Sequence, residues 1–514
     1  MGSRPDCIVV GAGHNGLICA CYLARAGRRV LVLERSDRPG GGSRTEETVP
    51  GYRFDTHSAA HNIINMTSIP DELALAEVGL DYREMDPFAV AVFADGRRVR
   101  FHRSIERTVA SIAETDRAEA EAYRALMELA VPLVEVATAG LALGGGPRPL
   151  ARSLLTRRRA LWALVPRLSP RLVGELLGPY GSVLEGRLGS DLTRGPIAAF
   201  AAHAGAGPAT TGGGAFALWQ AAYHRFGQWH SRGGSGGLTA ALVRRLTALG
   251  GELRCGAEVA RIDGAAGRAR GVELIDGERV EAPVVITALH PRHALLGLLD
   301  PPLAGAAGTA LRATHASNAV QAIVHVAADR LPPYADAREG DWNGLQSFVD
   351  GLDQLRAGFA AAEAGRLHHP APAYAFTTSA LDDGLAPPGH HTVYLACPCA
   401  PAEIQGSWDE AGERLAEDLI DQVESRAPGF RASIQGVAVR TPPMMAEELG
   451  WPGAHPMHLD VTPDQIGPLR PVAALGDHRT PVTGLYITGA GTAPVGGVAG
   501  APGRAAARAV LKDA

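Results

Sequence analysis

The chain is nearly without lysine: of its 49 lysines and arginines, only Lys512 is a lysine. An arginine excess of this kind is what a GC-rich coding sequence produces. It also has a chemical consequence, because no lysine earlier in the chain can form a Schiff base with a carbonyl. Cysteine is scarce, six residues in 514, too few and too scattered for a disulfide framework. The two Cys-x-Cys pairs, Cys19 with Cys21 and Cys397 with Cys399, have no companions at metal-ligand spacing. Small buried thiols in a reducing compartment are expected, and no metal. No apolar run approaches the length of a membrane span, and no signal peptide stands ahead of the first apolar run, so a cytoplasmic protein is expected. A net charge of −5 gives no electrostatic reason for a nucleic-acid partner.

What is present is a globular composition, 46% apolar over 514 residues, with length for two closely connected domains. The most informative stretch is Asp6 to Thr45. An apolar run, Cys7 to Val10, leads into Gly11-Ala-Gly13-His-Asn-Gly16. An amphipathic segment follows, and a second apolar run from Val30 to Leu33 ends in Glu34. Strand, glycine turn, helix, strand and acid stand in the order a dinucleotide site needs. Gly11 permits the tight turn, Gly13 lets the backbone approach a pyrophosphate, and Gly16 lets helix and strand pack closely. The helix start carries unpaired N–H groups that favour a phosphate. Glu34 can accept hydrogen bonds from ribose hydroxyls and would repel a 2′-phosphate, which disfavours NADP.

After Glu34 come Arg35, Gly40-Gly41-Gly42 and Ser43-Arg44-Thr45, then Thr45 to Ser58, TEETVPGYRFDTHS. Near the other end, Leu485 to Thr488 reads as a last parallel strand. It runs into Gly489-Ala-Gly491, Gly496-Gly497-Val498 and an alanine-rich helix starting near Gly500. Together these segments resemble the phytoene desaturases and related enzymes of the amine oxidase-like flavoprotein superfamily. The resemblance implies FAD, with its diphosphate at the glycine pair after the second strand. It implies a Rossmann-type α/β FAD domain assembled from discontinuous segments, with an α+β substrate domain and a helical insertion. The cofactor-binding residues it implies are Gly11, Gly13, Gly16, Glu34, Arg35, Gly41, Gly42, Ser43, Arg44, Val259, Gly489, Gly497 and Val498. Val259 matches a strand whose backbone contacts the adenine. The dipole of the last helix would face the flavin. Many amine oxidases of the superfamily have a lysine beside the flavin, and this chain has none to place there.

The expected division is 1–70, 216–290 and 456–514 for the FAD domain, 71–215 for a mostly helical insertion, and 291–455 for the rest of the substrate domain. Asp276-Gly277 signals a hairpin, and Ser407 with Glu410 signals a capping box. Ala319–Val326, Tyr374–Thr377, His391–Cys397 and Ile434–Val439 read as strands. The stretch Arg152 to Leu177, basic and apolar, suits either a helical lid or peripheral contact with a membrane surface, and Pro166 and Pro170 interrupt it.

The chain shows no second strand–GxGxxG–helix unit, so a separate NAD(P)H domain is not expected. The resemblance implies hydride transfer from a small organic substrate to flavin, foremost a C–C or C–N desaturation, with electrons passing on to oxygen or a quinone. A redox-neutral isomerase or saturase and a non-catalytic flavin-binding protein are the alternatives. Histidine suits proton transfer at neutral pH. Position selects His57, His61, His230 and His458, of which His57 and His458 are the candidate catalytic residues; a His-x-Asp segment like His458–Asp460 precedes the last motif in related sequences.

Overall fold

The computed structural model describes residues 4–143, 155 and 162–513; Gly144–Pro147 and Arg157–Arg159 lie outside the described residues. A five-stranded parallel sheet runs in the order Leu485–Ile487, Val284–Thr287, Cys7–Val10, Val30–Leu33, Glu252–Arg254. Cys7 lies opposite Val284 on one side and Val30 on the other, and Val285 opposite Leu485. Four of these strands are short and mostly apolar because both faces are covered, whereas the edge strand Glu252–Arg254 carries an exposed glutamate. Cys7 and Val9 enter the core formed with the helices His14–Arg25, Gly236–Ala248 and Ala501–Asp513. Ile8 and Val10, pointing the other way, pack with Val259, Ile262 and Val272. Those residues come from a four-stranded sheet, Arg279–Glu281, Gly271–Leu274, Val259–Asp263 and Leu299–Asp300. This is the expected Rossmann-type layering, gathered from separated parts of the chain.

Two close approaches explain glycines that the motif demands. A Cβ on Gly16 would collide with the Gly11 carbonyl oxygen, and one on Gly503 with that of Asn15. The last helix can therefore lie directly on the first. Ser407 caps the helix Trp408–Arg426, its Oγ accepting from the Asp409 N–H at 3.1 Å.

The substrate-side sheet has seven strands, ordered Ile434–Arg440, Ala319–Ala328, His391–Pro401, Tyr374–Phe376, Leu345–Ser347, Ala89–Val92, Arg98–Phe101. Four of these match the expected strands closely. The last two come from the segment expected to be mostly helical, whose described residues are mostly helical but include this hairpin. The local reason is visible afterwards: Phe88 to Phe93 is apolar and rich in β-formers, and Asp95-Gly96, with Gly96 at φ 87°, turns it back on Arg98–Phe101. Helices Ile105–Ala113, Arg117–Leu143, Tyr180–Arg187 and Asp191–His203 follow the hairpin and pack into the same core. The helix Pro170–Leu177 is short, as its flanking prolines require, and leaves Val173 and Leu177 exposed. Among the described residues no helix is long and apolar enough to cross a membrane.

Arg100 locks that hairpin in place. Its Nε and Nη2 donate to Asp341 Oδ1 and Oδ2 at 2.6 and 2.7 Å, with both side chains buried. Arg100→Met would strand a buried carboxylate, at a cost of about 3–5 kcal/mol. The urea denaturation midpoint should fall accordingly, and Arg100→Met/Asp341→Leu should recover part of the loss. An unchanged midpoint in the single variant would show that the pair does not hold the hairpin.

Candidate functional site

The glycine turn and Glu34 open onto a cleft of about 410 Å³. Its floor is Gly11 and Gly13, at the start of the helix His14–Arg25, which has no side-chain cap. A Cβ built on Gly13 would meet nothing within 4 Å, so the backbone there faces open space. Gly40 and Gly41, both at positive φ, fold the next loop against it; Gly40 donates its N–H to Ala12 at 2.9 Å. Glu34 is fixed by accepting from the N–H of Ala12 at 2.7 Å and of Ser36 at 3.0 Å. Each carboxylate oxygen keeps a second lone pair for a ligand in the cleft. Val259 lines the same end. Arg44 lies on one wall, buried and paired with Glu448, which also holds Arg440. Arg35 is exposed and reaches the carbonyls of Glu447 and Glu448. Ser43 lies beneath, its Oγ buried without a partner, as is Asn15 Oδ1.

The cleft joins a cavity of about 880 Å³, the two sharing His14, Gly42, Trp451 and Ala490 in their walls. The second cavity is bounded mainly by apolar side chains, among them Phe200, Phe216, Trp219, Ile323 and Met445. Gly497 and Val498 line it, while Gly489, at φ 111°, lines the cleft. The first turn of the last helix lines neither: Gly500 is enclosed by Ile18, Ile64 and Ile69. The pieces that approach these cavities are thus the loop glycines ahead of that helix. An open backbone cradle, an uncapped helix start, a preset carboxylate and unpartnered buried oxygens fit the adenosine diphosphate half of FAD. The adjoining apolar cavity fits its ring system together with a substrate.

The histidines separate into different settings. His57 lines the large cavity, its Nδ1 2.9 Å from Thr56 Oγ1 and its Nε2 buried without a partner. Burial first, then Arg440 and Arg44 nearby, hold its pKa well below 6.5. His458 lines the cleft instead, at φ 65°, with Nδ1 unpartnered and a pKa pushed down by burial and by His290. The two rings flank Trp451, each 5.5 Å from it. His61 and His230 stand outside both cavities, in buried contacts to Ser235 and Asp382 that hold the Gly233–Gly237 turn. They serve the fold.

Three groups at the site were not singled out from the sequence. His14, inside the glycine motif, lies 3.0 Å from the Gly497 carbonyl and so joins the first motif to the last; burial lowers its pKa to about 4. Trp451 separates cleft from cavity, and the bare Cα of Gly42 makes room for its indole. Arg470 is fully buried and donates only to main-chain carbonyls, those of Met457, Leu459, Asp460, Gln465 and Ala490. It ties the loop around His458 to the C-terminal motif. His14 was legible from its place in the motif, whereas Arg470 carries no local signal.

A profile of the family described as flavin containing amine oxidoreductase matches residues 16–511. The mouse pyridine nucleotide-disulfide oxidoreductase domain-containing protein 2 is 30% identical over 554 residues, covering 99% of this chain and 93% of its own. The phytoene dehydrogenase of Streptomyces griseus is 29% identical over 519 residues, covering 97% of this chain and 93% of its own. Among solved structures, putrescine oxidase bound to putrescine superposes with a TM-score of 0.60 at 17% identity, over 99% of this chain and 98% of that one. The chain therefore belongs to the flavin-containing amine oxidoreductase family and is an FAD-dependent oxidoreductase.

Proposed function

We propose that the enzyme desaturates a neutral, largely apolar organic substrate held in the 880 Å³ cavity. The observation that carries this reading is the wall itself: among the described residues lining the cavity, none is Asp, Glu, Lys or Arg. A cationic amine would find no carboxylate there, and burying an unpaired charge is costly. When bound, FAD supplies a two-electron acceptor that takes a hydride from a substrate carbon. Gly11, Gly13 and Gly16 shape the backbone that receives the diphosphate, and Glu34 holds the ribose. Val259 lies at the adenine end, and Arg35, Gly41, Gly42, Ser43 and Arg44 form the loop over the phosphates. Gly489, Gly497 and Val498 border the ring system. His57 lines the large cavity beside Trp451, and a turn of its neutral ring that brings the enclosed Nε2 to the cavity would let it take the proton that leaves the neighbouring carbon. His458, on the cofactor side, positions the loop carrying Trp451 and meets no substrate. Electrons leave to oxygen or a quinone.

Anaerobic addition of a saturated apolar substrate should bleach the visible absorption of the bound flavin and yield a product with one more double bond. Bleaching by a polyamine alone would overturn the reading, as would a product at the substrate's own oxidation level.

Glu34→Ala should weaken FAD by about 1.5–3 kcal/mol, roughly ten- to a hundredfold in Kd, since ribose acceptors are lost. Gly13→Val should abolish binding by filling the cradle. Either variant purifying with full flavin content would put the site elsewhere.

His57→Phe should lower the rate of flavin reduction by about 10²–10⁴ with FAD content unchanged. Because the His57 pKa is held well below 6.5, the imidazole is already neutral, and able to accept a proton, throughout the range from about pH 6 to about 8. The rate should show no acid limb there. A limb near 6.5 that vanishes in the variant would mean that the ring is solvated, contrary to the structure.

A further inference from the structure

The wall of the large cavity is apolar but not uniform. Gln321 and Ile323 lie on one face of the strand Ala319–Ala328 and both line it. Gln321 Nε2 donates to the His203 carbonyl at 2.7 Å, which fixes the amide beside the His203 ring. The His203 ring also lines the cavity, edge-on to Tyr374 at 5.8 Å. Among the described residues, no hydrogen bond is made to Gln321 Oε1 or to either ring nitrogen of His203. Polar atoms in so apolar a pocket cost about 1–3 kcal/mol each when left unmet by a ligand that displaces their water. A pure hydrocarbon would incur that cost, and a ligand with one oxygen function in the right place would not.

We propose that Gln321 and His203 form an anchor for a neutral oxygen function, a hydroxyl or a carbonyl, on an otherwise apolar substrate. The proposal rests on the reading of this cavity as the substrate pocket. The chemistry matches: the amide presents an acceptor and its remaining N–H, and a neutral imidazole presents one donor and one acceptor. Burial lowers the His203 pKa to about 4, so the ring brings no charge that would call for a carboxylate.

The fold also sets a length. His325, four residues beyond Gln321 on the same face, lies opposite Tyr394, whose hydroxyl donates to the His57 carbonyl at 2.8 Å. At a strand rise of about 3.3 Å per residue, the Gln321 backbone stands on the order of 13 Å from that of His325, the position on this strand next to the contact with His57. A zigzag chain of about ten carbons, with bonds of roughly 1.5 Å, covers that span. The reacting carbon and the oxygen function should therefore lie at opposite ends of the bound molecule.

The test titrates the FAD-loaded enzyme with 1-decanol, decanoate and butylbenzene by calorimetry. Wild type should bind decanol more tightly than decanoate at about pH 8, because no lining cation receives a carboxylate. In Gln321→Leu/His203→Phe, decanol should weaken about tenfold while butylbenzene stays within about twofold, with flavin content per chain unchanged. Decanoate binding tighter than decanol, an unchanged decanol affinity in the variant, or equal weakening of decanol and butylbenzene would each overturn the anchor alone. Failure of both decanol and butylbenzene to bind wild type would overturn the substrate-pocket reading and the anchor with it.

Discussion

Everything at the site depends on the strand Cys7–Val10 being paired in register on both edges. Its partners come from the middle of the chain on one side and from the following βα unit on the other. That pairing places the Val10 carbonyl against the Ala288 N–H and the Leu33 carbonyl against the Gly11 N–H, each at 2.8 Å. The glycine turn is thereby aimed between two strand ends, and Thr488, bonded to Thr287 at 2.8 Å, brings the C-terminal motif alongside. A slip of one residue would send Cys7 and Val9 to the opposite core and turn the cradle away from Glu34. Binding geometry is here a consequence of sheet register.

The scarcity of lysine acquires a structural meaning around the cavities. Arg470 satisfies five carbonyls from one buried position, which a guanidinium with five N–H donors can do and an ammonium with three cannot. Burial draws its pKa down to about 10, still far above neutrality, so the group stays charged while wholly enclosed. Glu448 likewise ties Arg44 to Arg440, linking the cofactor loop to the end of the substrate sheet. Irregular segments are held over the pockets by forked cations bonded to backbone and carboxylate.

Most of the cofactor side was legible in the sequence because its requirements are local. A bare backbone at Gly13, a tight contact at Gly16 and an acid ending a strand each leave a mark at fixed spacing. The substrate side was less legible because its requirements are relational. Ala89–Val92 reads as an apolar run until Leu345–Ser347 is seen pairing beside it, and nothing near Arg470 announces that five carbonyls will converge on it. His57 and His458 look alike in sequence, each near a flavin motif. Only the position of Trp451 between them shows that one faces the cavity and the other the cleft. His61 and His230 belong to a network closed by Ser235 and Asp382, residues far from them in the chain.

The neutrality of the cavity constrains the chemistry proposed for it. Hydride loss from an unactivated carbon leaves positive charge, and this wall has no described carboxylate to stabilise it. A depressed pKa makes His57 a weak base, poor at abstracting a proton from an intact hydrocarbon. The two weaknesses are complementary. As the hydride departs, the adjacent C–H becomes far more acidic, and a weak, correctly placed base then suffices; as the proton moves to Nε2, the carbon charge is cancelled before it must be solvated. For the proposed desaturation, a pocket this apolar favours loss of hydride and proton in one concerted event and penalises any route that leaves a free cation on the substrate.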